Sequence, residues 1–248
     1  MKFYSIITVV KNGENYIEDT IKSVLSQTYK NFEYIIIDGY SKDKTFKICQ
    51  SYKDKRIKLF RSKDHNFYEG LNLGISLSKS RFVGILNCGD LYFDTKVLLK
   101  TKMYLKKNNK IICSNLVYFN DQNKIMRIWK KKFNNINLKN SHLIAHPTLF
   151  IDTNILKKNI YKIKYSISSD TECILRLIKL KYKIIYKNYF SVAMKTGGLS
   201  TNPRFFLKKL KQDLSIYYTY FGFKAFAFYL IKIFSKILDF DFRGKKLR

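Results

Sequence analysis

Two carboxylates stand where a chain can do chemistry with them. Phe82-Val83-Gly84-Ile85-Leu86-Asn87-Cys88-Gly89-Asp90 reads as a short apolar strand with an acid at its carboxyl end. Phe32–Asp38 (FEYIIID) is built the same way. In open α/β sheets, ligands sit in the crevice beyond the carboxyl ends of the strands. An acid there, after a glycine that lets backbone approach a ligand, can hold a divalent cation against a phosphate. It can equally cap the next helix. Asp38 opens the run DGYSKDKT, where a carboxylate can accept from a nucleobase imide N–H or a ribose hydroxyl. Ser41 and Asp43 are expected to cap the helix that follows.

The elements that must position these acids alternate between strand and helix. Tyr4–Val10 is β-branched and apolar, as a buried parallel strand should be. Tyr16, Ile17, Ile21, Val24 and Leu25 then recur at helical spacing. Phe32–Asp38 is a second strand, Thr45–Tyr52 a helix and Arg56–Phe60 a third strand. Glu69–Ser78 is a helix, and Phe82–Asn87 a fourth strand. This rhythm predicts a doubly wound nucleotide-binding half. Farther on, the pattern predicts a helix at Val97–Lys107, a strand at Ile111–Phe119 and a hairpin-like segment at Asp121–Lys132 that holds the only tryptophan. A short strand at Leu149–Ile151, a helix at Asp170–Leu180 and a strand at Tyr182–Tyr186 follow. Neither a GxGxxG fingerprint nor a Walker GKS or GKT is present, which excludes dehydrogenase- and kinase-type nucleotide binding.

Composition narrows the classes. The 248 residues allow one α/β domain and an extension, and 46% are hydrophobic. Lys+Arg 48 against Asp+Glu 18 gives a net charge of +30, which attracts nucleic acid, anionic lipid or phosphorylated substrates alike. The lysines are spread along the chain instead of forming one stripe, and no nucleic-acid-binding motif appears. Cys49, Cys88, Cys113 and Cys173 show no metal-ligand spacing and read as reduced thiols of a cytoplasmic protein without a signal peptide. No stretch reaches the roughly 18–20 apolar residues a spanning helix needs.

From residue 202 the composition changes. Phe205–Tyr220 and Phe223–Leu238 are helical segments dense in aromatic residues and lysine. On the second, Lys224, Lys232 and Lys236 share one side, while Phe226, Tyr229, Leu230, Ile233 and Ile237 share the other. An aromatic face with a lysine border suits a membrane interface. The same pattern suits a hairpin held against the domain or a partner subunit.

The opening KNGENYIEDTIKSVLSQTYKNFEYIIIDGYSKDKT, after its strand, strongly resembles family 2 glycosyltransferases. Ser23-Val24, Gln27 and Tyr29 match that pattern, as do Asp38, Gly39, Ser41, Asp43 and Thr45. The stretch DHNFYEGLNLGISLSKSRFVGILNCGD resembles a polysaccharide-assembly (colanic-acid or capsule type) subgroup through Asp64, Tyr68, Asn72, Gly74 and Ile75. There Asn66 replaces a usual glycine, Glu69 an aspartate and Gly70 an alanine. The resemblance covers about residues 4–200.

It implies a GT-A fold, a Rossmann-like mixed and mostly parallel sheet flanked by helices. A glycosyltransferase domain would span 1–201 and a helical extension 202–248. It also implies an inverting hexosyltransferase acting from a nucleotide-diphospho-sugar, most often UDP-linked. Thr8 and Val10 would line the base, Asp38 would hold its imide, and Asp64 and Asn72 would lie near the diphosphate or sugar. Asn87-Cys88-Gly89-Asp90 takes the place of the family's Asp-x-Asp, with Asn87 for the first acid and Asp90 as ligand of Mn²⁺ or Mg²⁺. Asp170 sits at the family's catalytic position, to take the acceptor hydroxyl proton, with Glu172 as second candidate. His146 would contact diphosphate or metal, although a buried structural role fits it too. Gly197-Gly198-Leu199-Ser200 would close over the donor, and Arg176 would form an ion pair. The expected acceptor is a lipid-linked glycan at the inner face of the cell membrane, with the protein peripheral there, in surface polysaccharide assembly. The rival readings are a basic nucleic-acid-binding protein and a catalytically inactive membrane-bound scaffold.

Overall fold

The computed structural model describes residues 1–63, 66–105, 109–131, 133, 135–197 and 203–237. Strands β1 (Tyr4–Val10), β2 (Phe32–Asp38), β3 (Ile57–Arg61) and β4 (Phe82–Ile85) run parallel in the order β3-β2-β1-β4. Helices α1 (Ile17–Leu25), α2 (Thr45–Ser51) and α3 (Phe67–Leu77) make the crossovers. The sheet continues through β8 (Phe150–Asp152), β6 (Ile111–Phe119), β9 (Ile184–Lys195) and β5 (Leu91–Tyr92), with β7 (Ile125–Trp129) beside β6. β8 is antiparallel to both β4 and β6, whereas β6 and β9 are parallel. Helices α4 (Val97–Tyr104), α5 (Thr153–Lys158) and α6 (Ser169–Lys179) complete this α/β body, and α7 (Phe206–Phe221) and α8 (Ala225–Ile237) end it.

Strand alternation divides the core between the two sheet faces. Tyr4, Ile6, Val10, Tyr34 and Ile36 meet Ile17, Ile21 and Val24 of α1 on one side. Ile7, Ile35 and Ile37 meet Tyr68, Leu71 and Ile75 of α3 and Cys173 and Leu177 of α6 on the other. Gly74 permits that second contact to be close, because a Cβ there would come 2.6 Å from Ile7 Cγ2. α3 starts at a capping box. Asn66 Oδ1 accepts from the Tyr68 and Glu69 N–H groups, and Glu69 Oε2 accepts from the Asn66 N–H at 3.3 Å.

Most expected elements appear within two residues of their sequence limits. β9 is the main difference: it runs twelve residues, not the five of Tyr182–Tyr186. Its Lys187-Asn188-Tyr189 stretch interrupts the apolar pattern, and its pairing with β6 shifts register there. The short strand β5 and helix α5 had no periodic signal long enough to read.

The extension lies against the α/β body. Ile216, Tyr217, Ala225 and Tyr229 of α7 and α8 form a cluster with Leu175 of α6 and Tyr165. α8 sits with its lysine inward: Lys232 is 6% exposed and donates to the buried Asp213 at 3.0 Å. Tyr229 is buried as well, whereas Phe226, Leu230 and Ile233 face outward, as do Ile231 and Phe234. Lys232 and Tyr229 therefore share the inward side of α8, where the sequence reading set them on opposite sides. The attraction of Asp213 for an ammonium decides the rotation. Among the described residues no helix is long and apolar enough to cross a membrane.

Candidate functional site

The turns after β1 and β2 are zipped together by the motif residues themselves. The Asn12 N–H donates to Ser41 Oγ at 2.9 Å, the Gly13 N–H to Thr45 Oγ1 at 2.8 Å and the Glu14 N–H to Asp43 Oδ2 at 3.1 Å. In return the Lys42 and Lys44 N–H groups donate to Asn12 Oδ1 and Glu14 Oε2. Ser41 thus serves the neighbouring turn and not α2. Asp43 does accept from the Thr45 N–H at 3.0 Å, at the head of that helix. This lacing holds the ends of β1 and β2 as one rigid edge.

Asp38 ends β2 completely buried. Its Oδ2 accepts from the Ser41 N–H at 3.1 Å and from Arg61 Nε at 3.2 Å. The other oxygen, Oδ1, has no hydrogen-bond partner among the described residues. A buried acceptor left unmade is costly, so this oxygen has capacity for one more donor. Above it, the Arg61 guanidinium lies 4.5 Å from the Tyr40 ring centroid and 4.4 Å from that of Phe46. Tyr40 adopts a φ of 55°, unusual for a bulky residue and imposed by the turn.

Thr8 and Val10, expected to line a base, face the α1 side of the sheet. Thr8 Oγ1 donates to the Leu86 carbonyl at 2.6 Å and meets the Tyr34 hydroxyl at 3.0 Å, so the hydroxyl is fully used between strands. Val10 is buried in the core cluster. What β1 presents at its end is backbone, and its Val10 carbonyl accepts the Gly39 N–H.

Asp90 is also buried, and both its oxygens are engaged. Oδ1 accepts from the Lys195 N–H at 3.0 Å, and Oδ2 from the Asn87 amide at 3.0 Å. Burial pushes its pKa up to about 7 despite those two donors. Thr20 fixes the same turn by accepting from the Gly89 N–H and donating to the Asp90 carbonyl. Each Asp90 oxygen keeps a second lone pair beside its one N–H donor, so the carboxylate retains the oxygen chemistry that suits a hard divalent cation whose other ligands are phosphate oxygens. No three His, Cys, Asp or Glu side chains gather as a metal site among the described residues. Asp64 lies outside the described residues, as do His65 and Gly198-Leu199-Ser200 of the expected closing loop.

On the other face a second group gathers around Asp170. Asp170 is half-buried at the head of α6, and its N–H donates to the Tyr68 hydroxyl at 3.3 Å. The Tyr68 ring lies 5.4 Å from that of Tyr161, whose hydroxyl shares a 2.7 Å hydrogen bond with His146 Nε2. Burial pulls the His146 pKa below its usual value, so the ring is neutral at pH 7. Asn72 is committed to structure: its amide donates to the Tyr161 carbonyl at 2.8 Å and accepts the Tyr161 N–H at 2.9 Å. Glu172, the second candidate, is buried among Lys162, Arg176 and the Tyr220 hydroxyl, which leaves Asp170 as the available carboxylate. Arg176 forms its expected ion pair with Glu172. Tyr68 was visible in the sequence only as a motif match; Tyr161 and Gln212, whose role appears below, carried no signal.

The model of "Glycosyl transferase family 2" matches residues 5–176, across both groups. The chain belongs to that family. Over 226 residues it is 29% identical to an uncharacterized glycosyltransferase of Methanocaldococcus jannaschii, covering 86% of this chain and 76% of that one. It is 32% identical over 123 residues to the UDP-Glc:alpha-D-GlcNAc-diphosphoundecaprenol beta-1,3-glucosyltransferase WfaP of Escherichia coli, covering 48% of this chain and 47% of that protein. Several rickettsial glycosyltransferases match over 43% of the chain, and the match spans a third or less of their own length. Among solved structures, Staphylococcus aureus TarS residues 1–349 in complex with UDP-GlcNAc superposes with a TM-score of 0.74 at 17% identity, over 95% of this chain and 73% of that one. That likeness establishes the GT-A fold for this family 2 chain.

Proposed function

We propose that the protein transfers a sugar, with inversion, from a nucleotide-diphospho-sugar to a hydroxyl of a lipid-linked glycan in surface polysaccharide assembly. The observation that carries the donor side is the unpartnered Asp38 Oδ1 at the end of β2. A uracil imide N–H supplies the donor this atom lacks. The fold likeness to TarS with UDP-GlcNAc and the relationship to WfaP favour a UDP-sugar and a polyprenyl-diphosphate-linked acceptor.

Asp170 is the base in this reading. It lies half-buried on a helix start, with Tyr68 fixing its backbone. Proton removal from the acceptor hydroxyl raises its nucleophilicity as the oxygen attacks the anomeric carbon from the side opposite the diphosphate. The neutral His146 ring, half-buried and hydrogen-bonded to the buried Tyr161 hydroxyl, belongs to the same group and suits a contact with the donor diphosphate. Asp90 would hold Mn²⁺ or Mg²⁺ against the donor diphosphate, and the cation would offset the charge on the leaving group.

The outward aromatic residues of α7 and α8 favour a peripheral position at the inner membrane surface, where such an acceptor would be held. Phe223, between the helices, is 99% exposed, and Lys224 beside it can meet anionic headgroups.

A donor screen tests the reading. Thermal stabilisation by UDP-, GDP- and dTDP-sugars, with and without Mn²⁺, is followed by transfer to a polyprenyl-diphosphate glycan. Stabilisation and transfer with a UDP-sugar are expected. A stronger shift with a GDP-sugar overturns the UDP preference, and no transfer or hydrolysis with any donor overturns the enzymatic reading in favour of an inactive scaffold.

A further inference from the structure

We infer that Gln212 of α7 is a positioning residue for Asp170, which makes the C-terminal hairpin part of the transfer site. The inference rests on the proposed role of Asp170 as base.

The peptide of Ile167 is held from two directions. Its N–H donates to Gln212 Oε1 at 3.0 Å, and its carbonyl accepts from the Tyr68 hydroxyl at 3.0 Å. The Ser168 N–H donates to the same Gln212 oxygen at 3.2 Å, and Gln212 Nε2 donates to Ser166 Oγ at 3.1 Å. One amide side chain therefore takes up two N–H groups ahead of α6 that no helical carbonyl can reach. Ser168, the residue at the helix boundary, makes no side-chain cap of its own. Asp170 follows two residues later, with its N–H on the same Tyr68 hydroxyl. Tyr68 and Gln212 thus grip the segment 166–170 from α3 and from α7.

Gln212 is itself fixed. Its neighbour Asp213 is buried against Lys232 and Lys209, and the Tyr220 hydroxyl, two turns on, donates to Glu172 Oε1 of α6 at 3.0 Å. α7 is tied to α6 at both ends of this contact. A displacement of 1 Å at a reacting group can cost about 100-fold in rate, which is the scale at issue here.

The test compares Gln212→Leu, which loses all three bonds, with Gln212→Glu, whose carboxylate still accepts both N–H groups. In Gln212→Leu we expect amide exchange over 166–172 to quicken by at least about tenfold while β1, β2 and β4 keep their protection. We expect kcat for transfer to fall about 10- to 100-fold with donor KM within about twofold, and Gln212→Glu to keep a third or more of kcat. Should Gln212→Leu not fold, Gln212→Ser carries the same comparison. A kcat within twofold of wild type, exchange that quickens throughout the sheet, or equal losses in the Leu and Glu variants overturns the inference. The exchange comparison needs no donor, so it decides Gln212 even for a chain without activity. Asp170→Asn transferring at the wild-type rate would overturn the base assignment alone.

Discussion

Lys232 Nζ donates to Asp213 Oδ2 across 3.0 Å with both side chains shut away from water, so the final helix turns Lys232 in and Phe226 and Phe234 out. Burial works to raise the Asp213 pKa, but the charges of Lys232 and Lys209 outweigh it and hold the carboxyl below its usual value. Removing one partner leaves a buried charge with less compensation. Lys232→Met is expected to destabilise the protein by about 3 kcal/mol, read from urea unfolding. The double variant Asp213→Leu/Lys232→Met should recover most of that loss.

The outward face has its own consequence. Phe223→Asp and Phe226→Asp change exposed positions that make no core contact. Co-sedimentation with vesicles rich in anionic lipid should drop at least about fivefold in the double variant, with thermal stability unchanged. Retained binding would count against the hairpin as the membrane contact.

Asp90 gives a pH dependence with a definite sign. An unfolded aspartate titrates near 3.9, and burial takes the folded group up to about 7. The folded chain holds the extra proton between these values. Its stabilising effect is complete below pH ~4 and is lost as pH rises toward 7. The difference in unfolding free energy between wild type and Asp90→Asn should therefore slope across pH 4–7, by on the order of 3 kcal/mol in total. A flat difference would mean that Asp90 is ionised throughout, as a cation ligand would be.

Asp38 makes a prediction about the base. Uracil, thymine and guanine carry an imide-type ring N–H, and cytosine does not. UDP should stabilise the protein thermally and CDP should not, and Asp38→Asn should weaken UDP binding at least about tenfold by isothermal titration. Equal shifts with UDP and CDP would remove Asp38 Oδ1 from base recognition.

Asp170→Asn keeps the shape of the side chain and removes its basicity. Loss of a general base typically costs 10²–10⁴-fold in rate. We expect kcat to fall by about that range with UDP affinity unchanged.

The strand-helix rhythm was legible because β1, β2, α1 and α3 bury continuous or periodic apolar faces. The acids at strand ends were legible for the same reason: a carboxylate closing an apolar run is conspicuous. What each acid does depends on long-range hydrogen bonds that no local pattern encodes. Asp90 is satisfied by the Lys195 backbone, 105 residues away, and Asn72 by the Tyr161 backbone, 89 away. Ser41 and Asp43 stand out in the sequence as caps for α2, yet Ser41 spends itself on lacing two turns. Asn66 and Glu69, two departures from the subgroup pattern, form the two halves of one helix cap and so account for each other. The orientation of α8 could not be read from its spacing, because one buried aspartate on a different helix decides it.

The double hold on Ile167 also orders events in time. As the chain leaves the ribosome, β1 to β4 and α3 emerge first, Tyr68 among them. Gln212 is made more than forty residues after Ile167, so the loop before α6 gains its second grip only when the last two helices arrive. The segment bearing Asp170 therefore has its full set of hydrogen bonds only once the C-terminal hairpin has been made.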